Sequence, residues 1–384
     1  MNFKYPVYQP SLGEKEKANV LECLNSTWIS SKGKFITQFE NSFSEYIGVK
    51  YSAAVCNGTV AIHAALLALG ISEGDEVIVP SFTYIASVNA IKYTGAKPIF
   101  VDSNLTTWQI DPAKIEESIT QNTKAIMVVH LYGQPCEMDS IKAIAAKHKL
   151  FIIEDCAEAF GSLYKGRHVG SIGDISTFSF FGNKTITTGE GGMVVTNNQS
   201  LIEKVIHLKG QGLAKNREYY HDIIGYNYRM TNICAAIGLA QLERADDLIK
   251  KKIQIAKWYE EKLKNLPVIF HSQIGNVRHS FWMISILLNN SSERDKVREY
   301  LRSNEIETRP TFHPVHLMPM YFVREFSLPV AEELGSRGIN LPSYPDLNET
   351  DVEYITTILS KYFFNEVFMK NLYIVGSSGL ASQK

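Results

Sequence analysis

Phe178-Ser-Phe-Phe-Gly-Asn-Lys184-Thr-Ile-Thr-Thr-Gly-Glu-Gly-Gly192 carries one lysine to the edge of an apolar run and closes on a glycine-rich turn. A lysine desolvated in such a place has its pKa pushed down, and its neutral amine becomes a nucleophile toward carbonyl carbon. Enzymes that use pyridoxal phosphate (PLP) hold their cofactor through this chemistry. A lysine in a solvated loop is the plainer alternative. A phosphate-binding NTPase loop is not: that motif needs Gly directly before Lys, and Asn183 stands there. Beyond the lysine, residues 191–196 (Gly-Gly-Met-Val-Val-Thr) read as a strand returning along a sheet.

Upstream, short apolar runs at 53–56, 76–80, 97–102, 124–130 and 150–155 alternate with helical segments such as 138–148. Such alternation predicts a mostly parallel sheet with helices on both faces. Ligands in open α/β sheets bind outside the carboxyl ends of the strands. Several polar groups fall at those ends. Asn57-Gly58-Thr59 opens an Ala/Leu-rich helix, whose free N–H groups suit a phosphate; an Asn cap with nothing bound is the alternative. Ser81-Phe-Thr83-Tyr84 follows a second strand, and Glu154-Asp155-Cys-Ala-Glu158 a third. A carboxylate at that edge can pair with a protonated ring nitrogen, keeping a pyridinium charged as an electron sink. Glu154 or Asp155 can instead cap the next element, and both roles can hold for different members of the pair.

The remaining stretches frame these. Residues 1–12 read as an arm, 12–24 and 35–47 as helices, and Trp28-Ile-Ser30-Ser-Lys-Gly33 as a loop able to meet a polar ligand. A charged, glycine-containing surface loop is expected at 210–220. Gly225-Tyr-Asn227-Tyr-Arg229-Met-Thr-Asn232 is a candidate anion-binding cluster before one long helix, 233–263. From about 265 the pattern changes to a strand at 280–288, a helix at 294–305, a Pro-rich loop to His316 and a helix at 351–364. That predicts a large domain over 1–264 and a small α+β domain over 265–364. His313 and His316 have metal-like spacing, but Pro314 breaks the helix and no acid or Cys cluster joins them, so no metal is expected. Substrate contact and a satisfied loop histidine stay open for both. In the tail, 365–384, residues 369–379 read as Met, an apolar strand and a Gly-rich turn, the opening of a further domain or a disordered end.

A net charge of −1 over 384 residues supplies no global field to recruit nucleic acid or an anionic membrane. The five cysteines show no CxxC pairing, which fits a reducing compartment and no structural zinc. With no apolar leader and no run of spanning length, the chain is expected to be soluble and cytoplasmic.

Taken together, Asn57-Gly-Thr59, residues 78–84, Glu154 to Ala159, Ser179 to Gly192 and Gly225 to Met230 resemble the DegT/DnrJ/EryC1/StrS family of PLP-dependent nucleotide-sugar aminotransferases over about residues 5–363. The resemblance implies a fold-type I aminotransferase, a homodimer with active sites at the subunit interface. By position, it implies that Lys184 bonds the cofactor and shuttles a proton, and that Asp155 pairs with its ring nitrogen. Gly58, Thr59 and Ser179 would hold the phosphate, joined by Asn227 from the other subunit, and Tyr84 would lie over the ring. Glu158 stands where many members carry Gln or His near the 3′-oxygen. A closer resemblance, to members carrying Glu there, extends through Arg229 and through Glu307 to His316. It implies transfer from glutamate to C4 of GDP-4-keto-6-deoxymannose; by location alone, Trp28, Ser30, Arg229, His313 and His316 are candidate substrate contacts. UDP- or dTDP-4-keto-6-deoxyglucose is the alternative substrate. A 3-dehydratase of the same fold would carry His in place of Lys184. The tail resembles the start of sugar N-acyltransferases.

Overall fold

The computed structural model describes residues 3–378. Its central sheet has seven strands: β1 (Tyr51–Val55), β2 (Glu76–Pro80), β3 (Lys97–Val101), β4 (Thr123–Val129), β5 (Phe151–Asp155), β6 (Ile175–Ser179) and β7 (Gly192–Thr196). They lie in the order β3-β2-β4-β5-β6-β7-β1. β7 runs antiparallel to both its neighbours, and the other pairs are parallel. This is the mostly parallel α/β sheet that the strand–helix alternation predicts.

Alternate residues of each strand feed separate cores, which is why the runs are apolar throughout. Val77 and Val79 of β2 pack with the helix Gly58–Ala68, whereas Ile78 between them packs with Met138, Ile141 and Ala145 of the helix Met138–His148. Phe35, Phe39, Phe43 and Ile47, spaced along one face of the helix Lys34–Ile47, cover Phe178 and Met193.

A second, antiparallel sheet joins Val268–Phe270, Ile284–Leu288, Gly338–Leu341 and Arg309–Pro310. The N-terminal arm lies against it: Tyr5 bridges Ile306, and the Val7 N–H donates to Glu307 at 2.9 Å.

Three expectations change. The single helix over 233–263 is two, Asn232–Glu243 and Ala245–Leu263. Arg244 leaves helical geometry between them (φ −113°, ψ 14°), its guanidinium drawn to the carbonyl and hydroxyl of Ser11. Asp246 and Asp247 then suit the dipole of a new helix N-terminus. The strand over 280–288 starts only at Ile284, because Phe281 adopts a left-handed φ of 51°. The tail strand is not formed either: the last helix, Glu349–Ser378, runs through residues 369–378, and 379–384 lie outside the described residues. Among the described residues no helix is long and apolar enough to cross a membrane.

Candidate active site

Lys184 sits just past β6, with its backbone held from two sides. The Tyr8 hydroxyl donates to its carbonyl at 2.6 Å, and the Trp282 indole N–H donates to the Asn183 carbonyl at 2.7 Å. Its side chain is 13% exposed, and Nζ lies 3.9 Å from Glu158 Oε1. The plain alternative, a solvated loop lysine, is therefore excluded. Burial pushes the amine below the usual lysine range, against the charges of Glu158 and Asp155, which pull it back up.

Asp155 closes β5 and faces this amine from a fully buried position. Its Oδ2 accepts from Ser87 Oγ at 2.7 Å and its Oδ1 from the Ala157 N–H at 3.0 Å. Burial still holds it above the usual carboxylate range. A carboxylate in that state has unmet demand for a cationic partner. Glu158 is raised to about 7 by burial, with Lys184 opposing. Its Oε2 accepts from the Tyr132 N–H at 3.0 Å, an amide aimed by that residue's left-handed φ of 56°.

Glu154 has the other role. It is buried too, but its oxygens accept from His130, Ser176 and the amides of Gly170, Ile172 and Gly173. Burial pushes this carboxyl up, yet those hydrogen bonds outweigh it and hold it below the usual range. His130, Glu154 and Cys156 lie close enough together to invite a metal. However, the Cys136 N–H donates to His130 Nδ1 at 3.0 Å, so Nε2 carries the proton that Glu154 accepts, and burial keeps the Cys156 thiol protonated.

At the start of the helix Gly58–Ala68 the Asn cap is formed. The Asn57 side chain caps the Val60 N–H at 3.0 Å and its carbonyl takes Ala61, which leaves the amides of Gly58 and Thr59 ahead of the helical ladder. A Cβ on Gly58 would stand 2.7 Å from Ser179 Cβ, so glycine is what lets this helix start approach β6. Thr177, level with Asp155 in the sheet, keeps a buried hydroxyl with no partner among the described residues. One sheet edge thus gathers an amine, a buried acid and an amide cradle, groups that could take the carbonyl carbon, the ring nitrogen and the phosphate of PLP.

The other candidates lie farther out. Tyr84 immediately precedes the helix Ile85–Tyr93, is 56% exposed, and has its ring 5.6 Å from that of Phe312. The exposed Asn227 accepts from the Arg229 guanidinium at 3.1 Å. Asn232 donates from its side chain and backbone to the carbonyls of Trp28 and Ser30 at 2.7 and 2.6 Å, and the Trp28 ring borders a surface cavity of about 440 Å³ with Glu22 and Lys34. His313 is exposed, whereas His316 is 1% exposed and its nitrogens face Ser81 Oγ at 2.6 Å and Glu332 at 3.2 Å. His316 is the satisfied loop histidine of the two readings, and as a substrate contact it is withdrawn. Sequence reasoning missed Tyr8, Ser87, Tyr132 and Trp282. Of these only Ser87, one helical turn past Thr83, carried a local signal.

The family model for DegT/DnrJ/EryC1/StrS aminotransferases matches residues 10–360. The chain is 62% identical to the GDP-perosamine synthase of Escherichia coli O157:H7, over 93% of this chain and 98% of that one. It is 48% identical to the GDP-perosamine synthase of Vibrio cholerae, over 93% and 99%. The solved PLP form of a putative sugar aminotransferase from Streptococcus pneumoniae superposes with a TM-score of 0.88 at 28% identity, covering 93% of this chain and 98% of that one. With that family model spanning residues 10–360 and relatives 48–62% identical over nearly the full length of both chains, the chain belongs to the DegT/DnrJ/EryC1/StrS aminotransferase family.

Proposed function

We propose that this enzyme is a PLP-dependent aminotransferase that moves the amino group of glutamate to C4 of GDP-4-keto-6-deoxymannose, giving GDP-perosamine. The observation that carries the substrate is the 62% identity to a GDP-perosamine synthase across almost the full length of both chains. In the site, Lys184 would hold the cofactor's carbonyl carbon, Asp155 its ring nitrogen, and Gly58, Thr59 and Ser179 its phosphate. PLP bound there supplies a temporary seat for the amino group and an electron sink for the reacting carbon.

The chain's own groups do the rest. The Lys184 amine, its pKa lowered by burial, takes the proton from the glutamate α-carbon and delivers one to sugar C4. Glu158, 3.9 Å from Nζ and raised to about 7, receives and returns a proton as that amine cycles. Asp155 keeps a cation at the far side of the site, which relieves the cost of its own burial. The exposed Asn227 serves the phosphate of a neighbouring subunit in a homodimer, and the half-buried Arg229 beside it is a candidate substrate contact. Ile224, 88% exposed a few residues before them, fits a face that a second subunit covers.

The test is a visible spectrum of the purified enzyme. Glutamate is expected to bleach the cofactor band, and GDP-4-keto-6-deoxymannose to restore it. Bleaching that only a UDP- or dTDP-linked 4-keto-6-deoxyglucose reverses would overturn the sugar assignment. No band even with added PLP would overturn the enzyme class. For the dimer, chains carrying Lys184→Ala and Asn227→Ala are mixed and refolded together. Activity above that of either parent is expected, and none would refute the shared site.

A further inference from the structure

Trp282 has no part in the chemistry above, yet it touches Lys184 in two ways. It belongs to the loop that precedes the strand Ile284–Leu288, and it is 4% exposed. Its ring face lies 3.8 Å from Lys184 Nζ, while its N–H donates to the carbonyl of the residue before, Asn183, at 2.7 Å. The ring also lies parallel to Tyr132 (11° between planes, centroids 6.1 Å apart), and the Tyr132 amide holds Glu158.

Behind Trp282 stands a second buried lysine. Lys252, on the helix Ala245–Leu263, is fully buried and donates to the Trp282 carbonyl at 2.9 Å and to the Ser343 carbonyl. Its Nζ lies 5.3 Å from the centre of the Tyr8 ring, and the Tyr8 hydroxyl donates to the Lys184 carbonyl. Two routes therefore run from Lys252 to the backbone and amine of Lys184, one through Trp282 and one through Tyr8.

We propose that Trp282 is a positioning residue for the proton-carrying amine of Lys184, presented by a loop that Lys252 holds in place; this rests on the role given to Lys184 above. An aromatic face attracts an ammonium more than a neutral amine, and most strongly where water is excluded. The charged groups facing Nζ are Glu158 and Asp155, with the Tyr8 hydroxyl and Lys252 behind the backbone. Burial favours the neutral amine, and the indole face acts with the two carboxylates in the other direction. Lys184 thereby stays able to keep each proton it removes until the accepting carbon of that half-reaction takes it. The indole N–H fixes the direction in which the amine leaves the backbone.

The test treats the holoenzyme with glutamate, labels it with acetic anhydride across a pH series, and measures acetylation of Lys184 by peptide mass spectrometry. Trp282→Leu is expected to lower the labelling midpoint by roughly half to one pH unit. Trp282→Phe, which keeps an aromatic face, stays closer to the unsubstituted enzyme. Turnover of Trp282→Leu falls about tenfold with the KM for glutamate little changed. Lys252→Met shifts the midpoint the same way by less. Equal midpoints in all four proteins, or equal shifts in the Leu and Phe variants, would overturn the proposal, the second outcome marking a packing role alone. Should the Leu variant fail to fold, Trp282→Tyr and Trp282→Met replace it as the aromatic and non-aromatic pair. If glutamate does not bleach the unsubstituted enzyme, the functional reading fails separately. The same labelling on protein stripped of cofactor with hydroxylamine then still decides the case of Trp282.

Discussion

Glu154 and Asp155 are consecutive on β5 and both buried, and their fates are opposite. Successive residues of a strand face opposite sides of the sheet. Glu154 faces a loop whose amides at Gly170, Ile172 and Gly173 all donate to it, and His130 and Ser176 add to them. That carboxylate is consumed in building the molecule. Asp155 faces Ser87, the Ala157 amide and the charge of Lys184, which together do not cancel the cost of its burial. That carboxylate is left with demand for a ligand's cation. The two carboxyls are therefore displaced from their ordinary range in opposite directions, Glu154 down and Asp155 up. Availability for chemistry is decided by what a side of the sheet leaves unsatisfied, since burial alone does not separate the two.

If the two sides divide the work in this way, substitutions should separate activity from stability. The largest effect is expected on the Asp155 side. Asp155→Asn should lower kcat by about 10²–10⁴ while the melting temperature stays level or rises, because a poorly compensated buried charge is removed. A kcat within a factor of a few of the unsubstituted enzyme would break the comparison. Glu154→Ala should do the reverse. It leaves His130 and three amides without their acceptor, a loss of about 3–5 kcal/mol in denaturant unfolding. The next effect is a pH slope. Glu158 titrates near 4.5 when unfolded and near 7 in place, so between these values the folded chain holds the extra proton. Stability should therefore fall as pH rises from 4.5 through about 7. Glu158→Gln should flatten that part of the profile of denaturation midpoint against pH. An unchanged slope would assign the titration to other groups.

The parts of the site that were legible in sequence share one property: strand ends fix them locally. Lys184, Asp155, Gly58, Thr59 and Ser179 each lie at or just beyond the end of a strand. A continuous apolar run marks such an end, because strands buried on both faces have no polar alternation to obscure it. Tyr8, Trp282 and Lys252 reach the site by tertiary packing from segments far away in the chain, and nothing in their own neighbourhoods points to Lys184. The break at Arg244 was hidden for a related reason: apolar spacing continues across it, and the cause lies in Ser11. The shortened strand before Ile284 turns on the backbone sign of Phe281, which an apolar run does not encode. His316 looked available because its partners, Ser81 and Glu332, come from other segments.

The smallest expected effect tests whether structural and ligand-facing roles can be separated within one turn of helix. Asn57 caps Val60 with its side chain, while the amides of Gly58 and Thr59 remain for a phosphate. Asn57→Ala should cost about 1 kcal/mol of stability and leave cofactor affinity nearly unchanged, since the amides persist. Asn57→Asp keeps the cap and gains from the helix dipole, so its stability should hold. It also sets a negative charge beside the phosphate's place, so PLP should bind more weakly and the more so at low salt. Equilibrium dialysis against PLP at two ionic strengths, with denaturant unfolding alongside, reads both effects. If both substitutions weakened PLP binding equally and without salt dependence, the cap and the cradle would be a single device, and the division seen at Glu154 and Asp155 would not extend to this helix.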